Sequence, residues 1–330
     1  MGKPHSIVAI GASVGGVEAM SALTAALPAD FGAAVFIVLH IGAHRSELPW
    51  LLSQTGPLPA SHARDGDAIR PGQIYIAPPD HHLVLEPGRI RLTRGPRENW
   101  ARPAVDPLFR STAQAYGPEV VGIVLSGGLN DGTAGLYEIA QRGGTTVVQD
   151  PADAINPSMP RSALKHVTID HCLPIAHIPE LLVNLVTSEA AKASETLPAI
   201  MTEQAMAAEY TFDHPVAVTC PDCGGALRRT ELGTLIQFRC HIGHVYTAEV
   251  MVAAQFAGRE WSLGAAMRAL SERSEMCRQM AVQAAGDGAL AAEWASALQE
   301  AKERMSLLRD ILDSEWRHPG NTEPHGPWSG

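Results

Sequence analysis

The sequence predicts a doubly wound α/β domain with a mostly parallel sheet, and three observations predict it. Apolar runs without alternation recur at Ile7-Val8-Ala9-Ile10, at Ala34-Val35-Phe36-Ile37-Val38-Leu39 and at Val120-Val121-Gly122-Ile123-Val124-Leu125. Such runs suit strands buried on both faces. After the first run, Val17, Met20, Leu23 and Leu27 fall at helical spacing. Glycine-rich turns follow the first and third runs, Gly11-Ala12-Ser13-Val14-Gly15-Gly16 and Ser126-Gly127-Gly128-Leu129-Asn130-Asp131-Gly132.

The first turn sets a serine between glycines where a strand passes into a helix. Glycine accepts backbone angles and close approaches that a side chain forbids, so the hydroxyl of Ser13 is lifted out of the sheet. The same pattern also suits a phosphate cradle. A dinucleotide site, however, wants an acidic residue at the end of the second strand. Here the second run ends in His40. The third run leads to Asp131. In open α/β sheets the carboxyl ends of the strands form the ligand crevice. Ser13, His40 and Asp131 all fall at such ends, and they read as nucleophile, base and base-orienting carboxylate. Taken singly, each has a plainer reading: a helix cap, a strand-end histidine and a turn residue.

Further strands are expected at Ile74-Tyr75-Ile76-Ala77, Leu83-Val84-Leu85, Ile90-Arg91-Leu92 and Thr145-Thr146-Val147-Val148, with a Pro87-Gly88 turn in between. Gly95-Pro96-Arg97-Glu98-Asn99 is a polar loop, and a helix begins near Asp106-Pro107.

These residues carry a resemblance. The chain from about residue 7 to 186 resembles the catalytic domain of the chemotaxis-type protein-glutamate methylesterases, the CheB family. The likeness rests on Ile10-Gly11-Ala12-Ser13-Val14-Gly15-Gly16, Leu39-His40-Ile41, the run Arg102-Pro103-Ala104-Val105-Asp106-Pro107-Leu108-Phe109-Arg110-Ser111, and Leu125-Ser126-Gly127-Gly128-Leu129-Asn130-Asp131-Gly132. Ser158-Met159-Pro160-Arg161-Ser162-Ala163 is similar to a segment near that domain's end. The resemblance implies a Rossmann-like fold and places the family's catalytic serine, histidine and aspartate on Ser13, His40 and Asp131. It implies hydrolysis of glutamate methyl esters on a chemoreceptor or other sensor protein, served by a cognate methyltransferase system. Glutamine deamidation is also implied, since an amide passes through the same acyl-enzyme. Val14, Ile41-Gly42 and Gly128 depart from the family's usual residues, which bears on the shape of the ester pocket. Backbone donors for the oxyanion are expected from Gly128 first, His40 second and Val14 third. Members of the family commonly carry an N-terminal receiver domain. Here the first strand begins within ten residues of the start, which suggests a stand-alone esterase.

Composition agrees. A chain of 330 residues with 45% hydrophobic content can bury a core and accommodate an appendage. A net charge of −10 argues against a nucleic-acid partner. No apolar run approaches the ~20 residues that span a bilayer, and no signal-peptide pattern opens the chain. A cytoplasmic protein without membrane insertion is expected.

Residues 187–213 shift to Ala, Ser, Glu, Thr and Met and read as a linker. Cys220-Pro221-Asp222-Cys223 then precedes Cys240-His241-Ile242-Gly243-His244. Two tight turns presenting soft donors can hold zinc tetrahedrally, so Cys220, Cys223, Cys240 and His244 are the expected ligands of a structural Zn, with His241 the alternative fourth. This module, 214–246, is similar to a zinc-ribbon extension found behind some members of the same family. No cofactor is expected for catalysis. Residues 247–318 turn helical, with one stripe through Leu263, Met267, Leu270 and Ser274 and another through Leu298, Met305, Leu308 and Leu312. Gly286-Asp287-Gly288 breaks them into a hairpin, and 319–330 reads as a disordered tail. The competing function is a non-catalytic adaptor on the same fold, acting through ribbon and helices.

Overall fold

The computed structural model describes residues 6–40, 46–187 and 215–314. Its central sheet has seven strands: β1 (Ile7–Ala12), β2 (Ala34–Leu39), β3 (Ala60–His62), β4 (Ile74–Ile76), β7 (Val120–Val124), β8 (Thr145–Gln149) and β9 (His171–Leu173). Their order is β3-β4-β2-β1-β7-β8-β9, and every neighbouring pair is parallel. The short strands β3 and β9 lack a long apolar run, so nothing in the sequence marked them. A separate hairpin, β5 (His82–Glu86) with β6 (Arg89–Thr93), turns at Pro87-Gly88 as expected.

Both faces of the sheet are covered, which explains why β1 and β2 are buried at every position. Alternate residues feed two cores. Val8, Ile10, Val35 and Ile37 pack with α1 (Gly16–Ala25), α2 (Leu48–Thr55) and α6 (Ile178–Thr187) through Met20, Leu23, Leu52 and Leu182. Ile7, Ala9, Phe36 and Val38 face α3 (Val105–Tyr116), α4 (Thr133–Gln141) and α5 (Ser158–His166), meeting Leu108, Phe109, Leu136, Ile139 and Met159.

The connection from β1 leaves to β2 on one side, while β7 joins on the other. The strand order therefore reverses at β1, and a crevice opens beyond its carboxyl end. In the register Ala12 sits beside Leu39 and Gly11 beside Val124. Ser13 and His40 are thus the next residues on two adjacent strands, and the turn after β7 flanks them.

A four-stranded antiparallel ribbon follows, β10 (Pro215–Thr219), β11 (Ala226–Leu232), β12 (Leu235–Cys240) and β13 (Val245–Thr247). Its own core is Cys220, Leu227, Cys240, Tyr246, Val250 and Met251, with Trp100 and Leu129 packed against it. By its contacts the ribbon belongs to one compact unit with the sheet, residues 1–251. The second unit, 252–330, contains most of α7 (Ala248–Gln283) and all of α8 (Gly288–Asp313). Asp287 caps α8 by accepting from the amides of Ala289 and Leu290. The expected stripes are the less exposed faces of these helices, and each gains one buried member, Cys277 in the first and Ala301 in the second. Most of the expected linker, 188–213, and the tail, 319–330, lie outside the described residues, while Thr187 closes α6.

One close approach ties the sheet to the site. A Cβ on Gly11 would stand 2.2 Å from Cγ1 of Val105, the first residue of α3. Gly11→Ala is expected to cost about 1–3 kcal/mol in denaturant unfolding, as overpacking usually does. Adding Val105→Ala should recover part of that loss, and a double variant no more stable than Gly11→Ala would contradict the packing argument.

Candidate active site and metal centre

Ser13 sits in a turn built by its neighbours. Its amide donates to Ser126 O at 2.9 Å, and Gly16 N returns to Ser13 O at 2.9 Å. Gly15 has φ +77, and a Cβ there would meet Ser126 Oγ at 2.7 Å and Ile155 Cβ at 2.6 Å. A Cβ on Gly127 would stand 2.0 Å from Met159 Sδ and 3.0 Å from Ser13 Cβ. Side chains are therefore barred at the two positions that close around the serine. Ser126 locks the loops together, donating from Oγ to Val14 O at 2.7 Å and accepting from Asn156 N at 2.9 Å.

His40 lies one residue beyond β2, and its Nε2 is 2.7 Å from Asp131 Oδ2. The imidazole is 19% exposed and the carboxylate 2%, so the pair points from the interior toward the crevice. Asp131 accepts four further hydrogen bonds. Val105 N reaches Oδ2 at 2.6 Å, while Asn99 Nδ2, Gly132 N and Asp106 N reach Oδ1 at 3.0, 3.0 and 3.2 Å. Burial alone pushes this carboxyl up. The bond and charge of His40, with the Val105 amide and Asn99, overcome it and hold Asp131 down at about 2. Asp106, fully buried beside it, goes the other way. Desolvation first, and then the charge of Asp131, raise it well above the ordinary carboxyl range. Asn99 Nδ2 donates to both carboxyls, reaching Asp106 Oδ2 at 3.0 Å.

Among the described residues the Ser13 hydroxyl makes no hydrogen bond. Contacts of this kind are often open without substrate and close in the reacting complex. The backbone donors sort themselves. The His40 amide donates to Ala12 O at 3.2 Å, extending the β1–β2 ladder, so it is not free to bind an oxyanion as the sequence suggested. The amides of Gly128 and Val14 donate to no group among the described residues.

The second cluster gathers Cys220, Cys223, Cys240 and His244, whose donor atoms lie within 4.8 Å of one another. Cys223 Sγ and Cys240 Sγ are 3.7 Å apart, and His244 Nδ1 is 3.6 Å from Cys220 Sγ and 3.4 Å from Cys240 Sγ. Tetrahedral zinc with ordinary bond lengths would separate two sulfurs by about 3.8 Å and sulfur from nitrogen by about 3.6 Å. The donor set fits. Asp222 stands behind it, with Oδ2 3.9 Å from His244 Nε2 and 2.6 Å from the Tyr246 hydroxyl that donates to it. His241 is outside this cluster.

Sequence reasoning missed Asn99, Asn130 and the buried role of Asp106. Asn99 lies in what reads as a solvated loop, yet it is buried and bonded to Asp131, Asp106 and Thr247, so the loop is folded inward. Asn130 bonds Glu249 through Nδ2 at 2.8 Å and accepts from the Thr247 hydroxyl at 2.7 Å. No local pattern could have announced partners so distant.

Residues 8–182 match the family model described as CheB methylesterase. The chain belongs to the CheB methylesterase family. A Leptospira interrogans protein described as a putative protein-glutamate methylesterase/protein-glutamine glutaminase is 36% identical over 184 residues, 55% of this chain and 95% of that one. The protein-glutamate methylesterase FrzG of Myxococcus xanthus is 36% identical over 186 residues, 56% of this chain and 55% of FrzG. The CheB methylesterase catalytic domain of Thermotoga maritima is similar in structure, with a TM-score of 0.53 and 32% identity over 56% of this chain and all of that domain. The CheB-matched span contains Ser13, His40 and Asp131 and ends before the ribbon.

The electrostatics of Asp131 give a pH test with a definite sign. Its folded value is depressed from 3.8 to about 2, so its contribution to stability is present above about pH 4 and is lost as pH falls toward 2. Asp106 is raised and has the opposite sign, so the comparison is made with and without Asp131 ionisation. The unfolding free-energy gap between wild type and Asp131→Asn is expected to narrow as pH falls from 4 to about 2. A gap constant across that window would show that the carboxylate is not held ionised.

Proposed function

We propose that this CheB-family chain is a protein-glutamate methylesterase using Ser13, His40 and Asp131. The observation that carries the assignment is buried Asp131 bonded to His40 at the strand-end crevice, where the Ser13 amide also donates to Ser126 O at the start of the turn that leads to Asp131. Catalysis is assigned to residues 1–186 and metal binding to 214–246.

With Nε2 of His40 tied to Asp131, its Nδ1 is the nitrogen left to take the Ser13 proton. The Ser13 oxygen then attacks the ester carbonyl of a methylated glutamate. Asp131 fixes the imidazole tautomer and stabilises the imidazolium that forms. The proton passes to the departing methoxide, methanol leaves, and an acyl-enzyme remains. His40 next deprotonates a water that attacks this ester, and the proton returns to Ser13 as free glutamate departs. The tetrahedral oxyanion is received by the Gly128 and Val14 amides, each such donor typically worth roughly 3 kcal/mol in the transition state. An amide in place of the ester would release ammonia by the same route, in line with the glutaminase activity named for several relatives.

The substrate is a protein, and a methylated chemoreceptor or sensor fits the reading best. Val14 and Ile155, 57% and 66% exposed, put apolar surface on the Ser13–Gly15 turn, where a methyl ester on a protein surface could settle. Zinc held by Cys220, Cys223, Cys240 and His244 would close all four positions of a tetrahedron and so serve the fold of the ribbon. The thiolates needed for it suit the cytoplasm. Among the described residues no helix is long and apolar enough to cross a membrane.

Wild-type protein is expected to release methanol from a methylated receptor, and Ser13→Ala to lose that release with its unfolding midpoint little changed. Methanol release by Ser13→Ala at the wild-type rate would defeat the acyl-enzyme route. Elemental analysis is expected to find one zinc per chain, lost in Cys223→Ser. Full zinc content in that variant would remove Cys223 from the site.

A further inference from the structure

The ribbon reaches the catalytic aspartate through one side chain. Asn99 donates from Nδ2 to Asp131, and its Oδ1 accepts from the Thr247 amide on β13 at 3.1 Å. Its own backbone N–H donates to Val245 O at 2.8 Å. Asn99 and Trp100 hold φ of +50 and +65, a region that non-glycine residues occupy only when their surroundings impose it. Here β13 does the imposing, and Trp100 packs against the ribbon core beside the residues around Cys220 and Cys240. Asn130, next to Asp131 in the chain, is fixed by Thr247 Oγ1 and Glu249. The residues of β13 begin immediately after the metal-site residue His244.

We infer that Asn99 is a positioning residue for Asp131, and that strand β13 of the ribbon holds Asn99 in its working orientation. The inference rests on reading Asp131 as the triad carboxylate. Its logic is that of a clamp. An asparagine amide can turn over or swing away, and either motion would take its donor from Asp131 Oδ1. The Thr247 amide forces the oxygen of Asn99 toward the ribbon, which leaves the NH2 group facing the two carboxyls. A ribbon that loses its metal-bound fold withdraws both the Thr247 donor and the Val245 acceptor. The loop 99–106 then has no reason to keep its left-handed residues, and the Val105 and Asp106 amides that also serve Asp131 move with it. Ribbon integrity would in this way set the geometry of the esterase without touching substrate.

The test compares full-length Asn99→Ala, Thr247→Val and Thr247→Ser with wild type. Three readouts are taken: kcat and KM for methanol release, zinc content, and the proton NMR resonance of the hydrogen shared by His40 and Asp131. Loss of a charge-assisted bond to Asp131 is expected to lower kcat by about ten- to a hundredfold in Asn99→Ala, with KM changed less than about twofold. Zinc should be retained, and the shared-proton resonance should shift or vanish. Thr247→Val and Thr247→Ser both keep the backbone amide that donates to Asn99 Oδ1, so kcat and the resonance should stay near wild type in each. A fall in Thr247→Val as deep as in Asn99→Ala would overturn the inference by placing the effect on the Thr247 hydroxyl and Asn130. Wild-type kcat and an unchanged resonance in folded, zinc-loaded Asn99→Ala would overturn the inference. A second arm covers a variant that fails to fold. In wild-type protein treated with a zinc chelator, amide hydrogen exchange over 99–106 and 129–132 should accelerate, and unchanged protection there would equally overturn it. The resonance and exchange arms do not need ester hydrolysis. A wild-type protein inactive on every methylated receptor would thus count against the methylesterase reading while the clamp is still judged on its own.

Discussion

A carboxylate removed from water loses its hydration, and it stays ionised only where donors replace that shell. At Asp131 five hydrogen bonds do so, drawn from β2's end, the loop before α3, the start of α3 itself and the turn after β7. Each donor fixes the approach of one element to another. The Val105 amide can reach Oδ2 only if α3 lies against β1, which in turn requires that Gly11 have no side chain. The packing of the sheet and the charge of the site are thus one constraint, and loosening either moves the other.

The same carboxylate explains the odd neighbour. Two buried aspartates that share the Asn99 amide cannot both carry charge cheaply in a dry site. Asp131 has the imidazole and most of the backbone donors, so it takes the charge. Asp106 Oδ1 accepts from Gly135 N at 2.7 Å, and desolvation favours its neutral form. Environments that drive two titrating groups apart are a common way for a fold to assign their roles. Here the split keeps the negative charge on the group that touches His40.

What the sequence reveals follows from the range of the interactions involved. Ser13 and His40 could be placed because parallel strands buried on both faces announce themselves as continuous apolar runs, and their carboxyl ends are the residues just beyond. The cluster of three cysteines and a histidine could be read because Cys220 and Cys223, like Cys240 and His244, come from single tight turns with a fixed reach. The strands β3 and β9, three residues each, carry too little apolar signal to be seen. His40's amide looked free because a strand end gives no hint of how far its ladder continues, and the bond to Ala12 O carries it one residue further. Asn99 was opaque for a deeper reason. Two of its partners, Asp131 and Thr247, lie far along the chain, and in the sequence a polar residue bonded at such range looks the same as one that faces water.

That hidden link alters how the two modules should be understood. A ribbon joined to an enzyme only by a loose connection makes no contact with the site, and its loss would leave the chemistry intact. In this chain the ribbon shares a core with Trp100 and Leu129, one residue after Asn99 and two before Asp131. Its last strand also supplies both a donor and an acceptor to Asn99. Buried polar groups of this kind are favourable only when every partner is present, because each one left over bears its full desolvation cost. The loop carrying Asn99 therefore has a satisfied arrangement with the ribbon in place and none of comparable quality without it. A buried carboxylate whose hydrogen bonds run through Asn99 to the ribbon is an arrangement in which folding of the ribbon and the geometry around Asp131 are the same event.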